Sequence, residues 1–346
     1  MATVRRSRQF DTLDFSLDLY RKNQPQMAFA ARSLGAARAW QRRLRRKLVQ
    51  LLGGFPQPVP LRPRVVERKR FEGYTRETVL FQSRENLTAF AYFLLPDGFQ
   101  APGPAVVCFP GHGRGVDDIV GIKEDGTMRS EWGEYQADFA LQCVHHGYAT
   151  LAVEQVGFGH RRDERARKNG PGASSCQPAS GAALLLGQTM IGWRVYDGMR
   201  AVDYLQTRSE VDPKRIAAMG ISGGGTTTFH LACVETRVKV AVVSGYFNTF
   251  RDSILSMSHC MDNYVPGVLR YAEMYDLAGL IAPRYLFAES GTRDSIFPVK
   301  ATRLACRKAK QIFDVFGAAD HIALEVFPGE HSFWGRGAFK RLKRWL

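Results

Sequence analysis

The chain has 346 residues, of which 45% are hydrophobic and 23% are charged, and its formal net charge is +15. A chain of this length and ordinary globular composition can bury a sizeable core, so we expect one large α/β domain with additions. No apolar run approaches the length that spans a bilayer, which excludes a membrane-spanning segment, and we predict no membrane partner.

The first predicted element is a helical extension. Residues 11–52 look helical and end at a Gly-Gly-Phe-Pro sequence at 53–56. Apolar side chains recur at i, i+4 spacing, at Trp40, Leu44, Leu48, Leu51 and Leu52. Basic side chains crowd the same helix, at Arg38, Arg42, Arg43, Arg45, Arg46 and Lys47. The pattern predicts a helix that buries an apolar stripe and exposes a basic face to water. We divide the chain into an N-terminal helical extension, 1–60, that packs on the core, and a main α/β domain, 61–346.

A second basic run ends the chain, at Arg336, Lys340, Arg341, Lys343 and Arg344. Basic runs of this kind can bind nucleic acid or another anionic surface. Because no recognised nucleic-acid module accompanies the charge, we interpret both runs as solvated helix faces and predict no nucleic-acid partner.

Strand-like segments follow a Pro-punctuated linker at 56–63. The first three, 65–71, 74–82 and 87–95, are separated only by turns, which predicts an antiparallel edge. Further strands then alternate with helical patterns, at 105–109, 149–153, 216–219, 238–244, 285–288 and 323–327. This alternation predicts an α/β fold with a mostly parallel twisted sheet and helices on both faces. Loops that carry chemistry should then emerge at the carboxyl edge of the sheet.

The most informative motif is Gly220-Ile221-Ser222-Gly223-Gly224, which lies between a predicted strand and a predicted helix. A serine at a sharp strand-to-helix turn with glycine neighbours is typical of a nucleophile elbow. The alternative is an ordinary Gly/Ser turn, but the flanking strand and helix favour the elbow. The sequence therefore predicts Ser222 as a nucleophile.

A triad in this architecture takes its acid and then its histidine from positions after the serine. Asp294 lies in the loop after the strand 285–288, whereas Glu289 lies too near the strand body. His331 lies in the loop after the last strand, where a general base can reach the serine. His321 precedes that strand and should lie at the opposite end of the sheet, so we reject it. The predicted triad is Ser222, Asp294 and His331.

An oxyanion hole needs two backbone N–H donors, one of them from the residue after the nucleophile. Gly223 supplies that donor. Many esterases carry His-Gly-X after an earlier strand, and alignment of the strands places His112 at X, with Gly113 as the next choice. A metal-ligand role for the His112 imidazole is the alternative, but no Cys/His/Asp cluster of ligand spacing surrounds it. We therefore predict no metal and no cofactor.

Cysteine usage indicates free thiols. The chain has six cysteines without C-x-x-C pairing, at Cys108, Cys143, Cys176, Cys233, Cys260 and Cys306. Most lie inside predicted strands or helices, as buried thiols do in a reducing compartment. Residues 1–10 lack the apolar core of a signal peptide. We predict a cytoplasmic location.

Two long connections are candidate walls of a substrate pocket, 159–187 and 247–266. The second contains His259 and Cys260, which could be interpreted as a catalytic Cys/His pair. Adjacent side chains point apart in a strand and rarely meet in a loop, so we favour pocket lining or plain packing for both.

Taken together, the motifs resemble the α/β-hydrolase superfamily, and within it the acetyl xylan esterase and dienelactone-hydrolase-like branch. The resemblance covers roughly residues 40–346 and extends to bacterial members with an N-terminal helical extension. It depends on the segments 110–113, 151–161, 187–192, 197–205, 220–224 and 329–333. Two positions depart from the family pattern. Glu154 stands where relatives commonly have Asp, and Pro110 stands at the usual His of the oxyanion motif.

The resemblance implies a serine carboxylic-ester hydrolase that cleaves acetyl or other short acyl groups from a sugar or small alcohol, through an acyl-enzyme on Ser222. The expected partner is a small-molecule ester, and a homo-oligomer is compatible with the sequence. A peptidase of the prolyl-oligopeptidase type is one alternative, although the N-terminal extension is far too short for a propeller. A non-catalytic binding protein on a hydrolase fold is the other.

Overall fold

The computed structural model describes residues 10–346. The first nine residues of the predicted extension, which include most of the stretch that argued against a signal peptide, lie outside this range.

A nine-stranded sheet runs through the molecule in the order β1-β2-β3-β5-β4-β6-β7-β8-β9. The strands are β1 Arg64–Phe71, β2 Tyr74–Arg84, β3 Leu87–Pro96, β4 Gly103–Phe109, β5 Ala149–Val153, β6 Val211–Ile221, β7 Val238–Ser244, β8 Tyr285–Gly291 and β9 Ile322–Phe327. β1, β2 and β3 pair antiparallel, as does β3 with β5, and all pairs from β5 to β9 are parallel. The predicted α/β sheet with an antiparallel N-terminal edge is confirmed.

Helices cover both faces of the sheet. Within residues 10–346 they are α1 Thr12–Lys22, α2 Leu34–Leu51, α3 Val116–Ile119, α4 Phe139–His145, α5 Glu164–Lys168, α6 Cys176–Leu185, α7 Met190–Gln206, α8 Gly223–Val234, α9 Met274–Ala278, α10 Val299–Val315 and α11 Arg336–Trp345. Side chains of β4 alternate between the two faces, since Val106 and Cys108 join one apolar cluster while Val107 and Phe109 join the other. None of the helices in this range is long and apolar enough to cross a membrane.

The N-terminal extension consists of two helices rather than one. Residues 23–33 separate α1 from α2 because Pro25 lacks an N–H and disfavours helix in the residue before it. The separating segment instead pairs with the chain near α9, where Gln26 N–H donates to the Arg270 carbonyl at 3.0 Å.

α2 docks on the sheet domain by the apolar stripe that the sequence predicts. Trp40, Leu44 and Leu48 are buried. The Gln41 amide donates to the carbonyls of Gly279 and Ala282 at 2.6 and 2.7 Å. This contact makes the helix part of the core.

We predict that Leu48→Ala costs about 2–5 kcal/mol of unfolding free energy, because it removes a fully buried side chain and leaves a cavity. The matched control is Leu34→Ala in the same helix, where the side chain is half exposed and the expected cost is within about 0.5 kcal/mol. Urea unfolding measures both. Equal costs for the two variants would contradict the docking of α2.

Candidate active site

Ser222 lies at the turn between β6 and α8, at the carboxyl edge of the sheet. Its backbone has φ 55° and ψ −123°, a left-handed conformation that is strained for any residue other than glycine. The flanking glycines make the turn possible. A Cβ at Gly220 would collide with the Gly224 backbone, and a Cβ at Gly224 would collide with the Phe109 carbonyl. The sequence folds this way because only glycine admits so close an approach of helix and strand.

His331 and Asp294 meet although they are carried on different loops. Asp294 follows β8 and His331 follows β9, and the imidazole Nδ1 lies 2.8 Å from Asp294 Oδ2. The Asp294 side chain is completely buried. Its other oxygen, Oδ1, accepts the N–H groups of Ile296 and Phe297 at 2.9 Å each. The carboxylate therefore has a fixed orientation, and it fixes the imidazole in turn.

Ser222 and His331 contact two consecutive residues at the end of β7. The Ser222 N–H donates to the Ser244 carbonyl at 3.1 Å. A Cβ placed on the next residue, Gly245, would lie only 2.8 Å from His331 Cε1, so the ring rests directly on that glycine. His331 Nε2 is buried and has no hydrogen-bond partner within residues 10–346. Nε2, the ring nitrogen that could accept a proton from a nucleophile, is therefore available.

Two aromatic rings pack against the imidazole of His331. Tyr135 stacks against it with centroids 5.8 Å apart, and Phe297 does so at 5.7 Å. The Tyr135 carbonyl also accepts the Phe333 N–H at 2.7 Å, which ties the His331 loop to the segment before α4. Tyr135 could not be identified from the sequence, because it lies in a stretch that carries no motif.

The loop after β4 presents backbone amides beside Ser222. Gly111 N–H donates to Gln136 Oε1 at 2.7 Å, and the Tyr135 hydroxyl donates to the His112 carbonyl at 2.5 Å. Within the described chain, the N–H groups of His112 and Gly223 have no protein acceptor. A Cβ on Gly223 would lie 3.2 Å from the His112 ring, so these two residues are neighbours. The predicted oxyanion donors, His112 in this loop and Gly223 at the start of α8, are therefore adjacent residues whose N–H groups are uncommitted.

The expectation that no metal-ligand cluster surrounds His112 is wrong. The fold places three further ligand-type side chains around its imidazole, Cys176, Cys260 and Asp262, with all four ligand atoms within 4.8 Å of one another. A hydrogen bond with Cys260 and the charge of Arg194 lower the pKa of the Cys176 thiol to about 4, against the opposing effect of burial. Chain spacing could not reveal this cluster, because its members come from three distant segments.

The other side chains that the sequence analysis rejected as catalytic have different partners. His259 shares a 3.0 Å hydrogen bond with the Ser253 hydroxyl, so it does not pair with Cys260. His321 lies at the start of β9, where its Nδ1 is 2.6 Å from the Pro283 carbonyl, at the edge of the sheet opposite Ser222.

Glu289 is buried in β8 and holds the loop that carries His331. Its carboxylate accepts the N–H groups of Trp334 and Gly335 at 2.9 and 3.0 Å. Burial raises the pKa of Glu289 to about 7 despite these donors. The side chain therefore holds the His331 loop from inside the protein, and its carboxyl group ionises close to neutral pH.

We predict that Glu289→Gln removes a pH dependence from the stability. The folded-state pKa is raised from 4.5 to about 7, so the folded protein holds this proton more tightly than the unfolded chain. The contribution is complete below the unfolded pKa and is lost as the pH rises through the folded pKa. Between about pH 4.5 and 8 the unfolding free energy of the wild type relative to Glu289→Gln should fall by roughly 3 kcal/mol. Urea unfolding over this range measures it.

The control is Glu330→Gln, the same substitution at a carboxylate that is 79% exposed in the His331 loop. It should leave the slope of stability against pH unchanged. A wild-type slope retained in Glu289→Gln would contradict the assigned pKa.

The strand order, the turn at Ser222 and the gathering of loops at one edge of a mostly parallel sheet together define an α/β-hydrolase fold. A family model described as "Abhydrolase family" matches residues 5–312. The chain therefore belongs to the Abhydrolase family. His331 lies beyond the matched residues.

Named proteins are similar to this chain in sequence or in structure. The chain is 28% identical over 287 residues to the Bacillus subtilis protein named "Putative hydrolase YtaP", covering 80% of this chain and 89% of that protein. A "putative acetyl xylan esterase" of Bacteroides fragilis has a similar structure, with a TM-score of 0.77 and 20% identity over 94% of this chain and 84% of that chain. A glucuronoyl esterase from Solibacter usitatus has a TM-score of 0.66 and 17% identity over 93% of this chain and 98% of that chain. At these identities the two structures show the fold.

Proposed function

We propose that the protein is a serine carboxylic-ester hydrolase that cleaves short-acyl esters of sugars or small alcohols. The observation that carries the proposal is the His331–Asp294 pair, 2.8 Å apart, whose imidazole rests on Gly245, next to the Ser244 carbonyl that accepts the N–H of the strained Ser222. The names of the similar structures, an acetyl xylan esterase and a glucuronoyl esterase, support the substrate class.

Acylation follows from the roles of the three side chains. Ser222 Oγ attacks the ester carbonyl carbon while His331 Nε2 takes the hydroxyl proton. Asp294 accepts the Nδ1 proton of His331, which keeps Nε2 basic and stabilises the imidazolium that forms. The N–H groups of His112 and Gly223 donate to the oxyanion of the tetrahedral intermediate. The C–O bond to the alcohol then breaks, and the leaving alcohol takes the proton from His331.

Deacylation repeats these steps with water. His331 removes a proton from a water molecule, which attacks the acyl carbonyl carbon, and the same two amides hold the second oxyanion. Collapse of that intermediate breaks the bond to Ser222 Oγ, which recovers its proton from His331. The products are the carboxylic acid and the free enzyme.

A fluorophosphonate probe tests the nucleophile directly, because it reacts preferentially with an activated serine. We expect one adduct per chain on the peptide that contains Ser222, and protection by a slowly hydrolysed ester. A panel of p-nitrophenyl esters from acetate to octanoate, run beside acetylated sugars, tests the acyl group. An adduct on another residue, or turnover that rises with acyl length, would contradict the nucleophile or the short-acyl preference respectively.

A further inference from the structure

Four side chains of metal-ligand type meet behind the loop that carries the proposed oxyanion donor. We call them the His/Cys/Asp cluster: His112, Cys176, Cys260 and Asp262. They come from the loop after β4, the start of α6, and the segment that includes the short 3₁₀ turn Met261–Asn263. The cluster therefore connects the proposed oxyanion loop to both connections predicted as pocket walls.

The spacing of the ligand atoms is close to that of a tetrahedral site. Zinc bonds of about 2.0–2.3 Å to N, O and S ligands put the ligand atoms roughly 3.3–3.8 Å apart. Asp262 Oδ2 lies 3.6 Å from His112 Nε2 and 3.9 Å from Cys176 Sγ. Since every pair of the four ligand atoms lies within 4.8 Å, shifts of about an ångström or less would close the tetrahedron around an ion.

One ligand atom has no hydrogen-bond partner in the described part of the chain. His112 Nε2 is buried and makes no hydrogen bond to any residue from 10 to 346. A buried polar atom without a partner costs free energy, so such atoms normally signal a missing ligand or water. The adjacent ligands are the buried Asp262 carboxylate and the Cys176 thiol, whose chemistry suits a cation.

Arg194 is the one cation that contacts the cluster in the described chain, and it is fixed. It forms an ion pair with Asp262, and its Nη2 donates to Cys176 Sγ at 3.0 Å. Nε and Nη2 also donate to the Val156 carbonyl at 3.0 and 2.8 Å, and the guanidinium stacks on Phe158. Its positive charge opposes a second cation. However, a bound ion would displace the thiol protons, and two thiolates and a carboxylate then carry three negative charges, which equal the combined charge of Arg194 and one divalent ion.

The contacts that Arg194 makes are also of the kind that metal-binding side chains need from their surroundings. Donors to a ligating carboxylate or thiolate orient it and tune the metal. Thiolate ligands select zinc over the hard ions magnesium and calcium, which prefer oxygen. The ligand set and its surroundings therefore favour a thiophilic divalent ion.

We propose that the His/Cys/Asp cluster binds one thiophilic divalent cation, of which Zn²⁺ is the best match. Four protein ligands close the coordination sphere, as in structural zinc sites, so the ion would hold the loops rather than activate water. A Cβ on Gly223 would lie 3.4 Å from Asp262 Oδ2, so the ion would lie close to the proposed nucleophile without being part of the triad.

Cobalt reports the site independently of activity. We would titrate reduced, chelator-treated protein with Co²⁺ and record the visible bands of tetrahedral cobalt and the ultraviolet charge-transfer band of thiolate ligands. We expect saturation at one Co²⁺ per chain and displacement by Zn²⁺. Addition of Zn²⁺ should also raise the thermal midpoint, since an ion that binds only the folded state stabilises it. The same titration on Ser222→Ala protein should give the same spectrum, which separates this proposal from the proposed esterase activity.

Variants assign the ligands. Cys260→Ser alters a partly exposed thiol and should fold, and it should weaken binding by more than the ~10–100-fold typical of losing an outer-shell partner. The matched control is Cys306→Ser, a partly exposed thiol on α10, which should bind as the wild type does. Co²⁺ binding that fails to saturate, lacks the thiolate band, or survives Cys260→Ser at wild-type affinity would overturn the proposal. Equal weakening by Cys306→Ser would overturn it as well.

Discussion

Ser222→Ala should reduce the turnover of p-nitrophenyl acetate by about 10⁴–10⁶-fold, because triad members act as a unit and the remaining groups retain only binding and oxyanion stabilisation. Alanine keeps the Cβ and adds no bulk, so the elbow between β6 and α8 should persist. The loss should therefore appear in kcat, with circular dichroism and the thermal midpoint close to those of the wild type.

The matched control is Ser209→Ala. Ser209 is an exposed serine just after α7, at the amino end of β6, and so at the opposite edge of the sheet. Its loss should leave turnover within twofold of the wild type (roughly the scatter of an assay). Retention of more than a tenth of wild-type activity in Ser222→Ala would remove Ser222 as the nucleophile and with it the proposed mechanism.

The architecture follows from local sequence because most strands of the parallel part of the sheet contain a short, continuous apolar run. Segments such as 216–219 and 285–288 are buried on both faces of a parallel sheet, so they contain few polar residues and are readily recognised. Their carboxyl ends must share one edge. The positions of Asp294 and His331 relative to Ser222 could therefore be predicted without knowledge of any contact.

Contacts that depend on tertiary approach could not be predicted in this way. Tyr135 and Gln136 lie between α3 and α4 in a segment without periodicity, yet both orient the loop that carries His112. Tyr135 also stacks on His331. In the sequence, Glu289 lies too near the strand body to be the acid of a triad, and no other role is evident. Only the structure reveals that it binds the backbone after His331.

The His/Cys/Asp cluster could not be predicted from the sequence either. Cys176 and Cys260 lie on the two connections whose conformation the sequence does not determine. The rejection of a metal ligand at His112 depended on spacing along the chain. Spacing detects only sites whose ligands share one hairpin or helix, and this cluster is assembled from three distant segments of the chain.

Asp294→Asn should lower kcat on p-nitrophenyl acetate by about 10³–10⁴-fold, because it forces the imidazole into the wrong tautomer. The N–H groups of Ile296 and Phe297 both donate to Oδ1 at 2.9 Å, so the amide oxygen of asparagine must take that position. Its NH₂ group then faces His331 Nδ1, which can only accept from it. The imidazole proton moves to Nε2, where it blocks removal of the Ser222 proton.

Rotation of the asparagine amide, which would exchange its oxygen and NH₂ group, does not remove this conflict. Its NH₂ would face two backbone donors in a buried site, which costs more than the rotation gains. The matched control is Glu330→Gln, which neutralises an exposed carboxylate next to His331 and should leave kcat nearly unchanged. Fluorophosphonate labelling should slow in parallel with kcat, since both reactions need the same base. If Asp294→Asn kept wild-type kcat and labelling, the 2.8 Å contact would be structural only, and another group would have to orient the base.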